Sequence, residues 1–186
     1  MQTRASSFSA FRRVGAALTL ALAVAACASA EKRYEQGMEL EQRGRPADAA
    51  ERYIDALKKD PRLADARPRL QESGDRAVMD YLGEAGALEA AGRADEAVDV
   101  LLRLDALRRD AAAVGVTLSV PADYLARRRA TLDRAVDDAI RAALELARAG
   151  RPDDADRRLA RAVDRFEPSP AQRAALARAR AEAAIA

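Results

Sequence analysis

The stretch GRPADAA at 44–50 returns as GRADEAV at 92–98 and as GRPDDAD at 150–156. Each copy stands between two apolar patterns of helical period. Leu40, Leu88 and Leu146 precede the glycine by four residues, and a new pattern follows with acids in its first turn, where the helix dipole favours them. After the turn, Ala49, Tyr53 and Ala56 are matched by Ala97, Leu101 and Leu104, and again by Ala155, Leu159 and Ala162. These i, i+4, i+7 stripes each mark one face of a helix, and a small first residue lets two helices approach closely. The chain therefore reads as three helix pairs built on one turn. Ala, Leu, Arg, Glu and Asp dominate the rest, with few β-branched or aromatic residues, so the expected fold class is all-α.

The unit resembles the tetratricopeptide repeat (TPR), an antiparallel helix pair of about 34 residues. The first copy carries the fullest match. Gly37, Leu40, Gly44, Ala49, Tyr53, Ala56 and Pro61 fall where that family has Gly, Tyr, its turn, Ala, Phe, Ala and Pro. In the other copies Ala85 and Ala143 replace the small glycine, Arg109 and Glu167 replace the proline, and the turn glycines lie 48 and 58 residues apart. The resemblance implies an irregular TPR-like solenoid with some lengthened helices, spanning residues 31–186.

Two segments hold the excess. Between Pro61 and Gly92 the pattern is helical, with Asp60-Pro61 as a restart signal and breaks considered at Pro68 or at Ser73-Gly74-Asp75. Further on, a helix to about Ala113 meets AVGVTLSVPAD, the one stretch of loop and β-branched character. Pro121 is then expected to open a long helix with Leu125, Leu132, Val136, Ile140 and Leu144 buried. Ser119 precedes that helix as a candidate cap. Ser169 and Gln172 have the spacing of a capping box for a last helix that contains Leu176 and Ile185.

The opening residues have a different character. Arg4, Arg12 and Arg13 precede the apolar run VGAALTLALAVAA at 14–26. As a helix this run spans about 20 Å, against a hydrocarbon core of about 30 Å, which suits a signal peptide better than a membrane span. It ends in Val24-Ala25-Ala26-Cys27, which resembles the bacterial lipobox. That resemblance implies cleavage after residue 26, acylation of the Cys27 thiol, and a tether of residues 27–30. An ordinary Ala-x-Ala cleavage nearby is the alternative. Ala28 stands where an aspartate holds lipoproteins in the inner membrane of many diderm bacteria, so the expected place is the outer membrane, facing the periplasm. Of 32 basic and 30 acidic residues the signal holds three basic ones and no acid, leaving 29 against 30. The mature chain is thus near neutral, and neither its charge nor its export suits nucleic acid.

The chemistry available is limited. Beyond Cys27 there is no cysteine, and the whole chain has no His, Trp or Asn. This removes the usual general base, the Ser-His-Asp and Cys-His nucleophiles, and His/Cys zinc sites. The acid pairs Asp137-Asp138 and Asp153-Asp154 are helical neighbours, which point about 100° apart and do not share a site. Arg127-Arg128-Arg129 reads as a solvated face, or else as a contact for anionic head groups or an acidic partner. No catalytic residue, metal site or cofactor is expected.

What remains is binding. In the family resembled, the first helices of successive pairs line a groove for a peptide or partner helix. Carried over, those positions are Tyr34, Met38 and Glu41 in the first copy, Leu82 and Glu89 in the second, and Ile140 and Leu144 in the third. Burial of the apolar ones in the core is the competing reading. The expected function is a membrane-anchored, non-enzymatic adaptor that binds other cell-envelope proteins of assembly, secretion or wall synthesis. The alternative is a structural envelope lipoprotein without a partner groove. Replacing Cys27 by serine tests the anchor: palmitate labelling and membrane fractionation should both be lost, and acylation that persists in Cys27→Ser contradicts it.

Overall fold

The computed structural model describes residues 29–166 and 168–185. The expected signal peptide and Cys27 lie outside the described residues. Those described are helical and contain no strand. In chain order the helices are α1 (29–42), α2 (Pro46–Lys59), α3 (Ala66–Ala90), α4 (Ala94–Ala113), α5 (Tyr124–Arg148), α6 (Pro152–Phe166) and α7 (Pro170–Ala183). Residues 29 and 30, expected in the tether, already belong to α1, and Ala30 is buried. No described helix is long and apolar enough to cross a membrane.

All three repeated motifs form the same turn. Gly44, Gly92 and Gly150 have φ of 68°, 71° and 73°, the left-handed conformation in which a Cβ is penalised. The N–H of each following arginine donates back to the carbonyl of the leucine four residues before the glycine. These bonds, Arg45 to Leu40, Arg93 to Leu88 and Arg151 to Leu146, measure 2.9–3.0 Å. Together with glycine N–H bonds to Glu41, Glu89 and Ala147 they satisfy carbonyls that the helix end would orphan. The arginine side chain then meets the acid three residues on: Arg45 with Asp48, Arg93 with Glu96, Arg151 with Asp154. Hydrogen bonds from Arg151 and Arg157 hold Asp154 below its usual pKa range, and Arg93 does the same to Glu96. The Gly-Arg of the motif is thus one helix stop and one helix start.

The described residues form two compact units. The first comprises 29–78 and 106–119, the second 79–105, 120–166 and 168–185; α3 and α4 contribute to both. In the first unit Gly37 of α1 lies under the Tyr53 ring of α2, and a Cβ there would come within 2.5 Å of it. Leu101 and Leu159 hold the position of Tyr53 in the other pairs, and Ala85 and Ala143 that of Gly37. All four are buried, so the flat ring needs glycine where the smaller leucine tolerates alanine. The three stripes read from the sequence, from Ala49 to Ala162, are each 2% exposed or less. In the second unit α5, α6 and α7 share a core of Leu132, Val136, Leu159, Phe166 and Leu176 set among many alanines.

Several boundaries differ from expectation. Asp60-Pro61 does not restart a helix. Asp60 ends α2, its carboxylate accepts the Arg62 N–H at 2.9 Å, and turns carry the chain to Ala66. Neither Pro68 nor Ser73-Gly74-Asp75 interrupts α3. Pro68 occupies the first turn, where its missing N–H has no intrahelical partner to lose, and Ser73 and Gly74 are buried. α5 opens at Tyr124 rather than Pro121, without a cap from Ser119, and Leu125 is 72% exposed instead of core. Ile185 is also exposed, whereas the Ser169–Gln172 capping box forms as read.

The glycines of α1 and α3 make opposite predictions. Gly37→Ala should lower stability to urea by about 1–3 kcal/mol through overpacking against Tyr53. Gly83, in the exposed interior of α3 with open space around it, should gain roughly 0.5–1 kcal/mol as alanine. Equal responses would contradict the close approach at Gly37.

Candidate interaction surface

The expected groove residues divide by environment. Tyr34 is half-buried and tilts against Tyr53, with ring centroids 5.5 Å apart. Met38, on the same helix, is also half-buried. Leu82 is 9% exposed and belongs to the core, which corrects its assignment to the groove. Ile140 and Leu144 are half-buried and pack against the core of the second unit. Their outer edges alone face solvent.

Glu41 and Glu89 require a larger correction. Each precedes its turn glycine by three residues, and each is bound by the chain itself. The Glu41 carboxylate, 10% exposed, accepts the Tyr53 hydroxyl at 2.9 Å, an Arg69 N–H at 3.1 Å, and the Ser73 hydroxyl. It therefore ties α1 to α2 and α3. Burial first, and then the Glu41 carboxylate, push the Tyr53 phenol well above its usual pKa. Glu89, 12% exposed, accepts the Thr131 hydroxyl and faces Arg127 and Arg134 of α5, each at 3.6 Å.

The two clusters are built alike. In both, the acceptor ends the first helix of one pair, and the first helix of the next pair supplies a hydroxyl with an arginine four residues before it. Arg69 and Ser73 repeat as Arg127 and Thr131. One helical turn separates the two groups, so both reach the same carboxylate. A nearly buried carboxylate without such donors would carry a large desolvation cost. In the third copy the position is Ala147, 1% exposed, and no such acceptor is needed where α7 packs with Leu176, Ala179 and Ala183. The sequence signal was available, as Glu at the same offset from Gly44 and Gly92. Its partners lay 32 and 42 residues downstream and could not be read locally.

The arginine run is paired within the chain, with Arg128 largely covered and Arg127 and Arg129 still 40% and 44% exposed. Arg127 faces Glu89, Arg128 bonds Asp105 at 2.6 Å, and Arg129 meets Asp133 at 2.9 Å. Tyr124 also donates to Asp105, at 2.6 Å, so the start of α5 is fastened to α4. Of the neighbouring acid pairs, Asp138 bonds Arg141, and Asp154 bonds Arg151 and Arg157. Sequence reasoning missed the apolar surface that is open. Met79 on α3 is 67% exposed, and a groove of about 250 Å³ between α6 and α7 is lined by Leu159, Val163 and Leu176, with Arg173 and Arg180 also in its lining. No protein-family description, curated protein or solved structure matches the chain.

The clip has a measurable cost of removal. Glu41→Ala leaves the Tyr53 and Ser73 hydroxyls without their acceptor and should lower stability to urea by about 1–3 kcal/mol. Glu41→Gln keeps an acceptor oxygen and should lose less. An unchanged midpoint for Glu41→Ala would mean that the carboxylate is an idle surface group.

Proposed function

We propose that the protein is a membrane-anchored, non-enzymatic adaptor, a TPR-like lipoprotein that holds other envelope proteins at the membrane by a surface on its repeated helix pairs. The observation that supports it most is the recurrence of one turn with one carboxylate clip. Glu41 with Ser73, and Glu89 with Thr131, join the first helices of successive pairs, the pairing that a solenoid of antiparallel pairs requires. The sequence has no His and no Cys beyond Cys27, which favours binding over catalysis.

With Glu41, Glu89 and Leu82 taken up internally, the proposed contacts contract to two separate patches, Tyr34 and Met38 on α1 in the first unit and the outer edges of Ile140 and Leu144 on α5 in the second. Lipid attachment at Cys27 would confine these patches to two dimensions and raise the effective concentration of any partner in the same membrane. The internal use of Glu41 and Glu89 also favours the second reading, a structural envelope lipoprotein without a dedicated groove.

Cross-linking in cells followed by mass spectrometry separates the two. Tyr34→Glu and Met38→Glu should strip specific envelope proteins from the cross-linked set while the helical signal and membrane fractionation stay unchanged. A set identical to the wild type would remove the adaptor reading and leave the structural one.

A further inference from the structure

The connection between α4 and α5 is more than a linker. Residues 116–120 have no regular structure, and 116–119 pack on the first unit with a period of two. Val116 and Leu118 are 5% and 2% exposed, whereas Thr117 and Ser119 face solvent. Only an extended chain presents alternate residues to one surface in this way.

The seat for this segment is built on α3. Leu118 fills a notch made by Gly74, where a Cβ would come within 2.5 Å of the leucine methyl. The rims read main chain rather than side chains: Gln71 Nε2 donates to the Thr117 carbonyl at 3.3 Å, and Arg108 Nε of α4 donates to the Leu118 carbonyl at 3.4 Å. A leucine-sized notch flanked by carbonyl-reading side chains can accept any extended segment with apolar residues two apart. The polar part of the grip is light, since both bonds lie at the long end of the useful range, and Val116 and Leu118 supply the apolar part. At the start of the segment Gly115, exposed with φ of 82°, ends α4 by the same turn as the motif glycines, the Val116 N–H donating to the Ala111 carbonyl at 3.0 Å, so the strap departs just beyond that turn.

We propose that residues 116–119 are a displaceable strap occupying a site for an extended protein segment of the pattern apolar-x-apolar, and that a partner segment of this kind competes with it. The idea rests on the adaptor reading for its biological use but not for its test. Fluorescence anisotropy of a labelled peptide with the sequence of residues 114–121, VGVTLSVP, is measured against the purified full chain and its Leu118→Ser variant. Emptying the notch should raise peptide affinity about tenfold or more, the order expected for one buried leucine side chain. A peptide with aspartate in place of its leucine should bind neither chain. Equal affinity for the two chains, or no binding to a helical Leu118→Ser variant, overturns the proposal.

If Leu118→Ser loses its helical signal, thiol labelling decides. The thiol introduced by Leu118→Cys should react about tenfold or more faster than one introduced in the α3 core by Leu70→Cys, the ratio set by local opening against unfolding of the helix. Equal rates would make the strap part of the cooperative core and overturn its displacement. Neither measurement uses an envelope partner, so the cross-linking experiment can fail while the strap stands, or the reverse.

Discussion

A carboxylate placed three residues before a helix-ending glycine ties the pairs of this chain together. Turn chemistry alone makes isolated hairpins, and three of them need not associate in any order. At Glu41 and Glu89 the acid is nearly buried, which is tolerable only because the next pair delivers a hydroxyl and a guanidinium to it. A slipped neighbour would leave that charge unmatched at a cost that apolar contacts among alanines offset poorly. The clip therefore acts as a register device: alanine-rich faces are smooth, and the acid selects one alignment from several of similar apolar burial.

Local features were legible in the sequence because their causes are local. A left-handed glycine, an apolar period and an acid in a first turn are set by neighbours within a few residues, which is why the three stripes and the three turns fall where the periodicity put them. The errors have a common origin in what the far chain supplies. Ser73 and Gly74 look like helix breakers until Glu41 and Leu118 arrive to bond one and fill the space beside the other. Glu41 and Glu89 look like solvent-facing groove residues until Ser73 and Thr131 are beside them. Leu125 reads as core from its spacing. The start of α5 is instead oriented by Tyr124 and Arg128 on Asp105, which leaves Leu125 outside.

For binding, these internal bonds narrow the field. Glu41 and Glu89 are spent on the neighbouring helix, so under the proposed function these two acids are withdrawn from partner recognition and the half-buried apolar edges remain. The strap at 116–119 follows the same logic, with an apolar notch for selectivity and carbonyl contacts for grip. The lack of histidine and the near balance of basic and acidic residues are consistent with the proposed role of positioning other proteins.

The double-mutant cycle of Glu89→Ala with Thr131→Val tests the central claim most directly, because in the pair of Glu89 the position of Tyr53 is held by Leu101, which cannot share the load. If the clip sets the order of the first helices, urea unfolding should show a coupling of about 1 kcal/mol or more between the two substitutions. Effects that add within about 0.3–0.5 kcal/mol would show the two side chains to be energetically independent and would contradict it.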